Sequence, residues 1–185
     1  YHLCIGGTGI ARSDRRRFTA SLLDALLGGS ASSRLFQEIR EKRGLAYSVY
    51  TFASQYTDTG LIGFYVGTRA ENLADCLEIA NEQIAEVAEG KLRKGELERA
   101  KENLKGRILL SMESTSNRMS RLGRSLITDR IAAEIDAVTP DSVAELAAVL
   151  LAPERLSASG IGPSEERFRD AVRRIKPELP ARVAA

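Results

Sequence analysis

The spacing of hydrophobic and polar positions changes several times along the chain, and each change predicts an element. Residues 1–10 hold the apolar stretch Tyr1-His2-Leu3-Cys4-Ile5, ending in Gly6-Gly7-Thr8-Gly9, and predict a strand. That strand is already in progress at the first residue, so the chain is expected to be a fragment continuing upstream. Phe18, Leu22, Leu23 and Leu26 recur at helical spacing and predict a helix capped by Ser13 or Asp14 and ended by Gly28-Gly29. A second helix is expected over about 32–43, with Leu35, Phe36 and Ile39 on one side and Gly44 as its stop. The period then falls to two over 46–56 and 61–68, which reads as an antiparallel hairpin about Tyr56-Thr57-Asp58-Thr59-Gly60. Gly63 and Gly67 share one face of its second strand and predict close approach by a helix or another backbone.

Helical spacing returns over about 71–89 (Leu73, Cys76, Leu77, Ala80, Ile84, Val87), 94–113 (Leu97, Ala100, Leu104, Ile108, Met112) and 115–127. Thr139-Pro140-Asp141 opens another helix, with Thr at the cap and Pro at the first turn. Residues 156–162 read as a last strand, 164–175 as a further helix, and the Pro177/Pro180 tail as frayed. A hairpin with flanking strands cannot make an all-parallel sheet. The expected fold is a two-layer α+β domain over 1–185, a mostly antiparallel sheet with helices packed on one face.

Composition narrows the chemistry. The chain has 185 residues with 27 Lys plus Arg against 25 Asp plus Glu, so a net charge of +2 gives no reason to expect a nucleic-acid partner. No apolar run approaches the ~20 residues needed to span a bilayer. One His and two Cys are too few for the common self-contained zinc sites, so no metal is expected in this chain, and a Ser-His-Asp triad would have only His2 to recruit. Cys4 and Cys76 both fall in apolar-periodic segments and read as buried reduced thiols of a cytoplasmic protein.

Two motif readings fail on spacing or context. Gly6-Gly7-Thr8-Gly9 precedes a helix but lacks the G-x-G-x-x-G spacing and the Lys of a phosphate loop, and reads as the end of a strand. The basic run of Lys91, Arg93, Lys94, Lys101, Lys105 and Arg107 is interleaved with Glu96, Glu98 and Glu102, and reads as a solvated helix face. The stretch 27–50 is more informative. It has a Gly break, a Ser-rich cap, a charged helix, a Gly stop and an aromatic strand. Arg40 near the helix end and Tyr47 near the strand start are seven residues apart across a Gly turn. On spacing alone, Arg40 caps helix carbonyls and Tyr47 packs on the sheet; a helix-to-strand reversal could instead bring both to one rim.

The same stretch resembles the second homologous domain of the bacterial processing-peptidase-like members of the pitrilysin and mitochondrial processing peptidase family. The matching residues are Gly28-Gly29, Ser32-Ser33-Arg34-Leu35-Phe36 and Arg40-Glu41-Lys42-Arg43-Gly44-Leu45-Ala46-Tyr47. Downstream, Asp58-Thr59-Gly60, Glu96-Leu97-Glu98-Arg99-Ala100-Lys101, Ser116-Asn117-Arg118-Met119 and Asp136-Ala137-Val138-Thr139-Pro140 follow in the same order, so the likeness covers about residues 1–162.

The resemblance implies one lobe of a two-lobed zinc metalloendopeptidase that closes around a peptide substrate. Zinc would be bound by the N-terminal lobe, outside this chain. Arg40 would bind a substrate carbonyl and orient Tyr47, whose phenol would stabilise the oxyanion. The fragment alone is expected to be inactive, and its clamp face could support a homodimer. The alternatives are a non-catalytic scaffold or Arg/Tyr partner subunit of the same family, or a soluble α+β interaction domain. Two departures from the family pattern are the weak helix start Arg93-Lys94-Gly95 and a connector from Leu126 to Ala137 several residues short, which suggests residues missing from the chain at that point.

Overall fold

Three segments with alternating apolar positions and a fourth, short and mostly exposed one assemble into one antiparallel sheet. A computed structural model describes residues 1–124 and 131–177. Its strands are β1 (His2–Thr8), β2 (Ala46–Gln55), β3 (Gly60–Thr68) and β4 (Ser157–Ile161), in the order β2-β3-β1-β4. Period-two alternation sends Leu3, Ile5, Val49, Ile62, Phe64 and Val66 to one face, where all are buried. The helices α1 (Arg17–Leu27), α2 (Leu73–Ala88), α3 (Glu96–Ser111), α4 (Thr115–Arg124), α5 (Ile131–Asp136), α6 (Pro140–Leu150) and α7 (Glu165–Val172) complete the described architecture. α1 packs on β2, α3 and α6, while α2 packs on α6 and α7. This is the two-layer α+β arrangement expected from the sequence.

The start of α6 is set by its own side chains. The Ser142 N–H donates to Thr139 Oγ1 at 3.2 Å and the Thr139 N–H donates to Ser142 Oγ at 3.1 Å, so two otherwise unpaired donors are satisfied beside Pro140. α3 has no side-chain cap on Gly95; instead the Glu96 carboxylate turns back and accepts the Arg93 N–H at 2.9 Å.

Several expectations need correction. Cys76 is buried but Cys4 is exposed, because it alternates with the buried Leu3 and Ile5 and points to the other face of the sheet. Gly63 and Gly67 also lie on that face; the backbone of β1 comes close to Gly63, as expected, whereas a tyrosine side chain comes close to Gly67. A Cβ on Gly63 would run into the Ile5 carbonyl oxygen and sit 2.7 Å from the Gly6 Cα and 2.8 Å from Cζ of Phe52, its cross-strand partner, and one on Gly67 would sit 2.8 Å from the Tyr65 hydroxyl. The segment expected as an α-helix over 32–43 is a π-helix at Phe36–Glu41. Helix α5 had no counterpart in the periodicity. The basic face of α3 is partly buried: Lys101 donates to the Asp136 carbonyl at 3.0 Å, at the C-terminus of α5. The expected short connector from Leu126 to Ala137 falls in its first part, 126–130, outside the described residues, as does the end of the tail at Pro180.

Candidate functional site

The reversal between the π-helix and β2 builds the site. The Lys42 N–H donates to the Gln37 carbonyl at 3.0 Å, a five-residue step that widens the turn. The Gly44 N–H then donates to the Arg40 carbonyl at 3.0 Å, and the Leu45 N–H to the Ile39 carbonyl at 2.9 Å. Gly44 has φ +61°, the left-handed conformation that reverses the chain without strain only in glycine. The Leu45 carbonyl is fixed by Thr68 Oγ1 at 2.5 Å and Asn72 Nδ2 at 3.1 Å. The entry to β2 is therefore held from two other elements.

This reversal brings Arg40 and Tyr47 together. The guanidinium carbon of Arg40 lies 4.7 Å from the Phe36 ring centroid and 5.1 Å from that of Tyr47. Both are within cation–π range, so the two rings fix where the cation points. Glu41 makes a long contact of 3.7 Å to Arg40 Nε on an exposed surface. Arg40 does not pack as a helix cap, and Tyr47 does not lie on the sheet.

Tyr47 owes its position to a bulge. Ala46 pairs with Thr68 and Ser48 with Gly67, leaving Tyr47 as the extra residue on an edge strand. Its side chain is 83% exposed, although Ala46 before it is buried. The phenol is thus displaced from the ladder and projects at the rim of a cavity of about 650 Å³ that Arg40, Tyr65, Thr68 and Arg69 also line. His2 Nδ1 and the Tyr65 hydroxyl share a 2.6 Å hydrogen bond beside this cavity, and Tyr50 stacks on Tyr65 at 4.9 Å.

Beneath the π-helix lies an ion network that local spacing did not reveal. Arg34 is the largest fully buried side chain among the described residues. Its Nε and Nη2 donate to Glu96 Oε1 and Oε2, both at 2.8 Å, its Nη1 to Glu86 at 2.9 Å and its Nη2 also to the Lys91 carbonyl at 2.7 Å. Glu38, also buried, accepts from Lys42 and Arg43 at 2.7 Å each and from Arg93 at 2.9 Å. Together these bonds fasten the segment carrying Arg40 to the end of α2 and the start of α3. The one sequence signal for Arg34 was its place in the Ser-Ser-Arg-Leu-Phe run.

Burial pushes the Glu38 carboxyl up, but the hydrogen bonds from Lys42, Arg43 and Arg93 outweigh it and hold the pKa down at about 2, against 4.5 for a free Glu. A depressed carboxylate stabilises the fold above the free-Glu pKa, and that contribution disappears as pH falls from 4.5 through about 2. The partners are half-exposed, so screening limits the contribution to about 1–2 kcal/mol. The expected result is that Glu38→Gln lowers the urea midpoint at neutral pH and that this deficit shrinks towards ~pH 3. A deficit independent of pH would show that the ion pairs do not supply it.

These residues do not form a zinc site. His2 is bonded to Tyr65, and among the described residues no three His, Cys, Asp or Glu side chains cluster to hold a metal. Among the same residues, no helix is long and apolar enough to cross a membrane.

Comparison with known proteins agrees with this architecture. The model of the peptidase M16 inactive domain matches residues 2–104. An uncharacterised zinc protease of Streptomyces coelicolor is 42% identical over 182 residues, covering 92% of this chain and 39% of the relative. One from Bacillus subtilis is 40% identical over 174 residues, covering 88% of this chain and 42% of the relative. The crystal structure of a peptidase M16 inactive domain from Pseudomonas fluorescens superposes with a TM-score of 0.73 at 27% identity, covering 85% of this chain and 39% of that one. The chain therefore spans about two fifths of the length of the relatives it matches.

Proposed function

Because this chain belongs to the peptidase M16 family of zinc proteases, as an inactive C-terminal domain, we propose that it is the second lobe of a metalloendopeptidase and supplies Arg40 and Tyr47 to a peptide held against the first. The observation that carries the reading is the bulge that lifts Tyr47 off the sheet beside the ring-stacked Arg40, at the mouth of a cavity. A side chain kept for packing would be buried; this one offers its hydroxyl to whatever occupies the cavity.

Tyr47 would donate its phenolic hydrogen bond to the carbonyl oxygen of the bond being cleaved as negative charge develops there. Arg40, sharing a face with the Tyr47 ring, would bind a neighbouring backbone carbonyl and hold the phenol in place. Metal chemistry, which generates a nucleophile at neutral pH and polarises the carbonyl, would come from the part of the protein outside this chain. The open face of the sheet, with Tyr50 and Ile161 exposed, would look into the space between the lobes or form a homodimer contact. Both cysteines are free, which suits the reducing cytoplasm we propose as its compartment.

The test is peptide hydrolysis by the full-length protein. It is expected to be abolished by a chelator and restored by zinc, whereas residues 1–185 alone give none. Full-length protein without chelator-sensitive hydrolysis would instead be a scaffold subunit, and zinc-dependent activity from the fragment would overturn the assignment of lobes.

A further inference from the structure

The cavity beside Arg40 and Tyr47 has an unusual charge balance for this molecule. The chain as a whole carries 27 basic and 25 acidic residues, and most of its buried or half-buried cations are paired. Arg34, Arg43, Arg93, Lys101 and Lys105 all have carboxylate partners. The cavity departs from this pattern. Arg40, Arg69 and His2 line it, and no Asp or Glu does. Among the described residues the Arg69 side chain has neither a hydrogen-bond nor an ion-pair partner, and the Arg40 side chain, stacked between the Phe36 and Tyr47 rings, has only the 3.7 Å ionic contact to Glu41, which lies outside the lining.

The neutral groups add donors. Tyr47 and Tyr65 bring hydroxyls to the lining, and the polar side chains of Thr68 and Asn72 are committed to the Leu45 carbonyl. Two guanidinium groups without a close carboxylate, on the wall of a concave surface, make a region of positive potential whose field lines are focused by the cavity. Guanidinium matches a carboxylate bidentately, unlike the single carbonyl that Arg40 alone would bind. At about 650 Å³ the space is large enough for an amino-acid side chain together with its flanking backbone.

We propose that this cavity is a carboxylate-binding subsite in which Arg69 is the specificity-determining residue, so that the protein prefers peptides placing an acidic side chain or a free C-terminal carboxylate there. The inference rests on the reading of Arg40 and Tyr47 as the peptide-facing residues of this lobe. It goes further by giving the peptide a charge.

The experiment uses the full-length protein and quenched fluorescent peptides in matched pairs, Glu against Gln at each position flanking the cleaved bond, and a free C-terminus against the amide. One pair is expected to show a preference for the carboxylate on the order of tenfold in kcat/KM, falling as salt is raised. A Glu/Gln pair identifies a side chain as the source, and an acid/amide pair identifies the terminus. Arg69→Gln brings the acidic peptide down to its neutral partner, and Arg69→Glu transfers the preference to a Lys peptide. Because Arg69 is exposed, both variants should keep the parent melting temperature. Equal rates within every pair, or a preference that survives in Arg69→Gln, would overturn the proposal while leaving the peptidase reading intact. If no peptide is cleaved at all, the peptidase reading fails. The subsite is then judged by fluorescence anisotropy of the same labelled peptides, where equal Kd values for acid and amide overturn it and a carboxylate preference lost in Arg69→Gln supports it.

Discussion

Tyr47→Phe in the full-length protein is expected to lower kcat for peptide hydrolysis at least tenfold, and on the order of a hundredfold if the phenol is the principal oxyanion donor of this lobe. The substitution removes one oxygen from a side chain that is 83% exposed, so the melting temperature should not move. The ring remains, and with it the stacking that places Arg40 5.1 Å from the Tyr47 centroid. The loss should therefore appear in kcat with little change in KM, the signature of an interaction made only in the transition state. Arg40→Gln should behave differently. In the proposed role the Arg40 charge would bind the ground state as well, so KM should rise along with the fall in kcat. Unchanged hydrolysis by Tyr47→Phe would remove the tyrosine from the mechanism. The high exposure of Tyr47 in this chain also explains why the fragment should be inactive. A hydroxyl in water gives little discrimination between a carbonyl and an oxyanion, and the donor becomes effective only when another surface excludes solvent from the cavity.

The sequence disclosed most of what depends on local order. The hairpin of β2 and β3, the helices α2 and α6, and the Thr139 cap with Pro140 in the first turn all followed from period and turn chemistry, while the return bond from Ser142 did not. Cys4 was legible as well: its alternation with Leu3 and Ile5 points it away from the core, and reading its neighbourhood as merely apolar concealed this. What stayed hidden depends on pairing between distant segments. The bulge at Tyr47 is a property of the register between β2 and β3, and it appears only when Ala46 is found opposite Thr68 and Ser48 opposite Gly67. Spacing along one strand cannot show it. Arg34 is hidden for the same reason. Its carboxylate partners are 52 and 62 residues away, and an arginine after two serines reads locally as surface. The family pattern kept that arginine in view without supplying its role. The bidentate contact to Glu96 does so by joining the Arg40 segment to the first turn of α3.

That role leads to the largest expected change in stability. Arg34→Ala should cost about 3–5 kcal/mol in urea unfolding, because it leaves Glu96 buried without its counter-ion. The Glu96 carboxyl is subject to burial, which pushes its pKa up, but the Arg34 and Arg93 hydrogen bonds hold it below the usual range. Deleting Arg34 therefore removes the largest opposing influence and makes protonation of Glu96 part of the damage. Arg34→Lys should recover only part of the loss. One ammonium cannot reproduce the fork that reaches both Glu96 oxygens, Glu86 and the Lys91 carbonyl at 2.7–2.9 Å. The paired change Arg34→Met with Glu96→Leu should recover more than Arg34→Lys, since it leaves no buried charge unpaired and fills the space with apolar atoms. Stability and activity should then separate. The apolar pair should restore the fold, but it does not restore the directional bonds that fasten the segment carrying Arg40 to α2 and α3. Peptide turnover in the stable double variant should consequently remain below that of the parent. A double variant equal to the parent in both measurements would mean that Arg34 stabilises the domain without positioning Arg40.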